Sequence, residues 1–462
     1  MYKKTLVTGL ALATLALNAA ASQSLIETYE LAVANDPSLA VARLNAESAQ
    51  LDARSGFAAV LPSVNASVSY GVGSKSKTND KGKAQETLAL NFDAQSLSET
   101  IRVNQNIFVL AAFTAYDALN ANASRIEMEA LQAEQNLMVS IAEQYIGILK
   151  AKDALDVLNA QLEAVSRQYQ QTEQRYEVGL VTKTDVLDAA ATLDQTRVSL
   201  IRAESAYDIA LQGLYSSTGS IPESIKSLSE DLPVRSPSEQ GQQKWVDYAV
   251  SKHPDILIAE KGLEVGELTL KARRQERLPS VVGSFSVTHS DVFGSKQTVI
   301  NPSNGNVITD DALNNDFEKN WSASVGLTVS MDLYSGGSKT VNIAKAAISN
   351  NITEQNIELL KRGKAVEVAN LYRTVRADAQ NVKARQQALA SSESALQATQ
   401  VGYEVGTRNI VEVLNSQLNK FSAQNNLNNA RYDYILNLLR LKQAAGQLSI
   451  DDLESIEQYL VD

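Results

Sequence analysis

The chain has 462 residues, of which 42 are basic and 53 are acidic, so its formal net charge is −11. Such an acidic chain is a poor candidate for binding DNA or RNA, and we expect no nucleic-acid partner. It contains no cysteine, which excludes disulfides, thiolate metal sites and a lipid-modified N-terminal cysteine. Stability must therefore come from packing and from assembly.

The first residues have the layout of a secretory signal peptide. Lys3 and Lys4 precede an apolar run from Leu6 to Leu17, and the small residues Ala19–Ala21 follow. The run is shorter than the ~20 residues of a membrane-spanning helix, which argues against an anchor. We expect residues 1–21 to be removed, and the mature chain to be secreted, periplasmic or inserted in a membrane as β-strands.

The mature sequence is a tandem duplication. Tyr176–Gly179 recurs as Tyr403–Gly406, and Leu61–Val64 recurs as Leu278–Val281. Each unit is predicted to contain a helix, two strands, a very long helix and a last helix. The predicted organisation is a signal peptide (1–21), a first repeat (22–219), a connector or equatorial region (220–240), a second repeat (241–446) and a C-terminal equatorial segment (447–462).

Each repeat opens with a helical pattern, over 25–58 and over 243–275, and two extended segments follow it. In these segments apolar residues alternate with small polar ones, which is typical of transmembrane β-barrel strands. A half-buried sheet of a soluble protein would show the same alternation. The segments are Val64–Val72, Leu97–Phe108, Val281–Val287 and Trp321–Leu333, and they enclose polar loops at Gly73–Glu86 and Thr288–Asn320.

Four strands cannot close a barrel, and an open sheet edge is not tolerated in lipid, so copies of the chain must combine. A barrel formed by the strands of a dimer would be nearly filled by side chains, whereas a barrel formed by the strands of a trimer would leave a channel. If the segments cross a membrane, the polar loops face outside the cell.

The next helices, over 110–176 and 337–403, are far longer than those of globular domains, and the first would span roughly 100 Å. Their apolar residues stand seven apart, which indicates supercoiled neighbouring helices. Heptads alone would also fit a structural coiled coil. The two ladders are Ile141, Ile148, Leu155, Leu162, Tyr169 and Tyr176, and Val368, Val375, Val382, Leu389, Leu396 and Tyr403.

A short turn joins each long helix to a last helix, over 184–217 or 410–444. Gly179 and Gly406 are placed to adopt a left-handed backbone at the helix ends. The spans Thr182–Asp185 and Asn409–Glu412 are predicted to cap the helices that follow.

These turns carry a specific resemblance. The segments Tyr403–Leu414, Val178–Val181 and Thr184–Val186 resemble the periplasmic entrance of the TolC family of outer-membrane efflux proteins. The strand ends at Gln105–Phe108 and Leu333–Gly337 are also similar to that family. The likeness covers nearly the whole mature chain in order and spacing.

The resemblance implies a mainly α fold with a β-barrel part. The subunit would be a tandem repeat with long coiled-coil helices and four membrane strands. A homotrimer would form a 12-stranded barrel and a 12-helix periplasmic tunnel in the outer membrane of a Gram-negative bacterium. The implied function is an exit duct of tripartite efflux and type I secretion, serving multidrug resistance. It would take drugs, detergents or polypeptides from an inner-membrane transporter of the RND, ABC or MFS type through a periplasmic adaptor.

The resemblance also assigns site residues. Arg408 would bond Thr184 and Asp185, and Tyr403 would bond Asp185; these four residues form the predicted entrance latch. The links would hold the inner helix pair against the outer pair until opening.

Two acidic rings narrow the entrance in the family. Glu412 keeps the first carboxylate, Asn415 replaces the second, and Asp188, the repeat partner of Asn415, would restore charge nearby. These three residues form the predicted aperture ring. Around a threefold axis, clustered carboxylates favour cations and raise one another's pKa.

Two other classes of function can be compared with the exit duct. A structural periplasmic coiled-coil spacer would share the long helices. An enzyme is not expected, because neither His253 nor His289 has a metal-ligand partner at helical spacing, and no nucleophile elbow or phosphate loop is present. We expect no cofactor.

Overall fold

The computed structural model describes residues 22–78, 89–229, 232–237, 241–300, 307–310 and 318–461. The predicted signal peptide, 1–21, lies outside the described residues. So do 79–86 of the predicted first polar loop, 301–306 and 311–317 of the predicted second loop, and parts of the connector. Within the described chain, no helix is both long and apolar enough to cross a membrane.

The helices follow the predicted order in both repeats. The bounds of α3, α8 and α9 lie within one residue of those predicted from the heptads and turns. The helices are α1 (Leu25–Asn35), α2 (Pro37–Ala58), α3 (Leu110–Glu177), α4 (Lys183–Gly213), α5 (Tyr215–Thr218), α6 (Gln242–Lys252), α7 (Pro254–Gln275), α8 (Ser338–Glu404), α9 (Ile410–Ala444) and α10 (Ile450–Glu457).

The first helix of each repeat is two helices, which corrects the prediction of one. The breaks fall at Asp36 and His253, which both have extended backbone angles (ψ 119° and 132°). Each precedes a proline, whose ring excludes the helical conformation for the residue before it. Pro37 and Pro254 then begin the next helices, where a missing N–H costs no hydrogen bond.

The described strands form one antiparallel sheet and one small two-stranded ribbon. In the sheet, β1 (Ser63–Thr78) pairs with β2 (Ala89–Phe108), and β2 pairs with β4 (Ser280–Ile300). Because β2 fills one edge of β4, both β5 (Val307–Asp310) and β6 (Glu318–Ser330) lie along its other edge. The sheet therefore has four strand positions, as predicted. In the ribbon, β3 (Ser227–Leu228) pairs with β7 (Leu460–Val461).

The strands run further than predicted into the polar segments. Thr78, Ala89 and Ile300 are all paired, although Gly73–Glu86 and Thr288–Asn320 read as loops. Pairing with the neighbouring strand extends them beyond the stretch where apolar and polar residues alternate.

The cross-strand register gives the sheet two unlike faces. On the apolar face Val64 pairs with Val103, Val103 with Phe285, and Phe285 with Val325. Val325 is 84% exposed and Val68 71% exposed, so the described residues leave this apolar face uncovered. On the polar face, cross-strand hydroxyl pairs join Thr100 to Thr288 (3.1 Å) and Ser286 to Ser324 (2.8 Å).

The chain divides into two compact units. The first unit (Met1–Asn45, Glu127–Ile258 and Ile357–Asp462) holds the largest apolar core. The predicted heptad positions Ile141, Ile148, Val368 and Val375 are fully buried in it. The second unit (Ala46–Ile126 and Ala259–Asn356) holds the sheet, with its helices packed through small residues such as Ala49, Ala53 and Ala123.

Candidate functional site at the helix turns

The first turn joins α3 to α4 and is closed by a left-handed glycine. Gly179 has φ 76°, and its N–H donates to the Tyr176 carbonyl (2.9 Å). The Leu180 N–H reaches back to the Arg175 carbonyl (2.8 Å), which satisfies the last carbonyls of α3. Thr182 then caps α4 through the predicted capping box.

The second turn joins α8 to α9 in the same way. Gly406 has φ 80° and donates to the Tyr403 carbonyl (3.1 Å), and the Thr407 N–H donates to the Gly402 carbonyl (2.8 Å). The Asn409 side chain accepts the Glu412 N–H (2.9 Å) and caps α9. The left-handed glycines and both caps were predicted from the repeated sequence.

A small apolar cluster packs the helices of the two turns together. Ala189 of α4 and Ile410, Val413 and Leu414 of α9 are buried in it. Tyr169 of α3 and Tyr403 of α8 pack against its edge. The cluster therefore joins all four helices close to their turns.

Arg408 contacts Glu412 within its own repeat. Its Nη1 donates to Glu412 Oε2 at 2.5 Å, and the two side chains are 58% and 37% exposed. The guanidinium holds the pKa of the Glu412 carboxyl below its usual range, so this carboxylate is charged at neutral pH.

Asp185 is also occupied locally. Its Oδ2 accepts the Thr182 N–H and the Thr182 hydroxyl, both at 2.8 Å. Among the described residues, no hydrogen bond links Asp185 or Thr184 to Arg408 or Tyr403. The single chain thus brings the four latch residues to neighbouring turns without their predicted bonds, and the latch stays a prediction.

The Tyr403 hydroxyl is the free group of this site. It is buried and has no hydrogen-bond partner among the described residues. The Arg175 guanidinium lies over the Tyr403 ring, with its Cζ 4.8 Å from the ring centroid. Arg175 was not predicted as a site residue. Because it comes from the other repeat, no local spacing in the sequence links it to Tyr403.

Gly402 is a second residue that sequence reasoning missed. A Cβ at this position would lie 2.6 Å from Cγ of Arg408 and 3.3 Å from Oγ1 of Thr407. The glycine therefore leaves the room in which Arg408 folds back over the end of α8. The Tyr403–Gly406 repeat lies directly after Gly402 and could have drawn attention to it.

The other predicted aperture residues lie on the same two helices. Asn415 is exposed on α9, one turn after Glu412, and Asp188 is half-buried on α4. The single chain does not test whether these residues line an aperture ring, because a ring needs several copies around one axis.

These features define a class of protein: a duplicated subunit that joins long paired helices, closed by tight turns, to a sheet with one apolar face. The sequence profile of the family described as "Outer membrane efflux protein" matches residues 28–220 and 245–447. The chain belongs to this outer membrane efflux protein family. Membership confirms the prediction of an outer-membrane location and of a transport protein that is not an enzyme.

Individual relatives agree with the family assignment. The chain is 28% identical over 439 residues to outer membrane protein TolC of Vibrio cholerae, covering 95% of this chain and 94% of the relative. It is 26% identical over 441 residues to the alkaline protease secretion protein AprF of Pseudomonas aeruginosa, covering 95% and 87%.

Solved structures share the fold. The outer membrane protein VceC from Vibrio cholerae matches with a TM-score of 0.74 at 18% identity, over 91% of this chain and 96% of that one. This likeness confirms the predicted combination of long helices and a sheet.

Proposed function

We propose that three copies of this chain form an outer-membrane duct, through which an inner-membrane transporter and its periplasmic adaptor export cargo. The two-faced sheet with open edges carries the proposal. Its apolar face needs lipid, and its edge strands β1 and β6 each leave one row of backbone groups unpaired within the described chain. Pairing the edge formed by β5 and β6 of one copy with β1 of the next removes every edge, as lipid requires.

Three copies suit a duct because the polar faces of twelve strands would then enclose water. A dimer would have a barrel nearly filled by side chains. The twelve helices formed by α3, α4, α8 and α9 of three copies would continue the passage into the periplasm.

The relatives support the type of cargo. Two of them carry names of protein secretion: AprF, and the proteases secretion protein PrtF of Dickeya chrysanthemi, which is 23% identical over 445 residues. We infer that this duct serves an ABC-type secretion transporter for polypeptides and RND or MFS pumps for drugs and detergents.

The first experiment is reconstitution of the mature protein purified from outer membranes. The duct should run as a trimer that dissociates on heating, and it should open stepwise ion conductance in planar bilayers. A structural spacer would have the long helices but would give no conductance. A monomer recovered in the soluble fraction would refute the duct.

The latch is tested by replacing Arg408. If Arg408 bonds Thr184 and Asp185 in the trimer, Arg408→Ser should raise single-channel conductance, because it frees the inner helix pair. Arg362→Ser is the matched control, since Arg362 is exposed on α8 and pairs with Glu358 four residues away in the same way. Equal conductance in both variants would refute the latch.

The aperture ring is tested by replacing Glu412. Three carboxylates at a constriction should bind multivalent cations, so Glu412→Gln should weaken block by hexamminecobalt added on the periplasmic side. Glu358→Gln removes a carboxylate from α8 that is also exposed and also pairs with an arginine, and it should leave the block unchanged. Identical block in the two variants would place the ring elsewhere.

A further inference from the structure

The polar face of the sheet contains one charged residue among its described side chains. The register places Arg102 on this face, opposite Asn65 of β1 and Ser286 of β4. The other described polar-face positions carry serine, threonine, asparagine, glycine or, at one position, valine. Arg102 is therefore surrounded by neutral side chains on the described part of this face.

Arg102 also lacks an acidic partner. Its side chain is exposed, and no carboxylate of the described residues lies within ion-pair distance of it. The acidic residue closest along the same strand, Glu99, is on the opposite face, where it lies 3.8 Å from His289. A guanidinium that is not neutralised by the protein keeps its full charge and its donors for a solute.

We propose that Arg102 forms an anion-binding ring inside the duct, which selects for phosphate- or carboxylate-bearing cargo. This inference rests on the proposed trimer, whose threefold symmetry repeats Arg102 three times around the lumen. Strands about 4.8 Å apart and tilted about 40° give a twelve-stranded barrel a backbone radius of about 12 Å. Extended arginine side chains then bring the three guanidinium groups to about 10 Å from one another, close to the ~8 Å Debye length at physiological salt.

At that spacing the fields of the three groups overlap along the axis. One multivalent anion can contact two guanidinium groups through bidentate hydrogen bonds while the third adds long-range attraction. The ring has the opposite sign to the carboxylates predicted at the periplasmic entrance, where Glu412 is charged.

The test measures how strongly inorganic tripolyphosphate blocks single channels in a planar bilayer. The tripolyphosphate is added to the compartment onto which the barrel end of the channel opens. We expect Arg102→Gln to weaken the block about tenfold or more, the effect of losing a charge-assisted hydrogen bond. Arg102→Lys should retain part of it, because the charge stays while the bidentate geometry is lost. Glu99→Gln, which changes a charge on the opposite face of the same strand, should leave the block as in the parent protein.

Moving the arginine to a neighbouring position on the same face distinguishes anion binding by a lumenal ring from an effect of the substitution on folding. Asn104 lies one pleat from Arg102 on the same face, opposite Ser63 and Ser284. The double variant Arg102→Gln with Asn104→Arg should recover most of the tripolyphosphate block.

The failures are distinguishable. Channels that conduct but bind tripolyphosphate equally in parent and Arg102→Gln proteins overturn the ring and leave the duct intact. Absence of any conductance in the parent protein overturns the duct itself.

Discussion

His253 makes helix α7 sensitive to pH, and replacing it with asparagine should remove that sensitivity. The ring is 4% exposed, and its Nδ1 accepts the Asp255 N–H at 3.0 Å at the start of the helix. An imidazole caps in this way only when Nδ1 carries no proton. In the first repeat Asp36 caps helix α2 in the same way, through a carboxylate that accepts the Leu39 N–H at 2.9 Å.

The sign of the effect follows from the surroundings of His253. Burial, then the nearby Lys364 ammonium, lower the pKa of the imidazole, while Asp255 and Glu367 oppose the shift. Lys364 is held close by ion pairs of 3.0 Å to Asp255 and 3.1 Å to Glu367. Because the folded pKa is lowered, the neutral cap contributes its full stability above the unfolded value of about 6.5 and loses it as pH falls through the folded value.

The size of the loss is that of a helix cap. Removing an N-cap hydrogen bond costs about 1 kcal/mol per helix, and each chain carries one such histidine. Asparagine is a strong N-cap residue that does not titrate, so His253→Asn keeps the acceptor at every pH.

Urea unfolding at about pH 7.5 and about pH 5, above and below the unfolded imidazole pKa of about 6.5, measures the effect. The parent protein should lose about 1 kcal/mol per subunit more than His253→Asn between the two conditions. An equal loss in the parent and in His253→Asn would refute the capping argument.

Four further substitutions test the second turn, a long helix, the core and the predicted aperture ring. Gly406→Ala should destabilise the second turn by about 1–2 kcal/mol, because Gly406 has φ 80°, and the loss should appear as faster amide hydrogen exchange in that turn. Gly147→Ala should stabilise helix α3, because the added methyl group meets no neighbour within 4 Å. Tyr432→Phe should lower the free energy of unfolding by about 1.5–3 kcal/mol, since the buried hydroxyl donates to Asp153 at 2.9 Å. Asn415→Asp should strengthen block by multivalent cations, and unchanged block would show that this position does not face the axis.

The long helices and their turns could be predicted because their signals are local. A seven-residue apolar period fixes the buried face of α3 and α8 whatever the partner is, and it put Ile148 and Val375 in the core. A glycine followed by a capping box ends one helix and starts the next within a few residues. The breaks at Asp36 and His253 were equally local, since each residue precedes a proline, and the sequence would have supported them.

The strand lengths and the contacts of the site could not be predicted in the same way. Strand β2 begins at Ala89, beyond its alternating segment, because its partners β1 and β4 continue there. Arg175 meets the Tyr403 ring only after two repeats fold against each other. Such contacts join residues far apart in the sequence, where no short pattern records them.

The divergence of the two repeats at one position explains how the turns became unequal. Arg175 and Gly402 occupy the same place, each directly before the repeated tyrosine. In the first repeat the arginine crosses to cover Tyr403; in the second, the glycine gives Arg408 the room to reach Glu412. A large side chain at both positions would collide with Arg408, and glycine at both would uncover Tyr403. The Arg408–Glu412 pair is thus complete within the second repeat, whereas the guanidinium that covers Tyr403 comes from the first, so neither repeat alone contains the whole site.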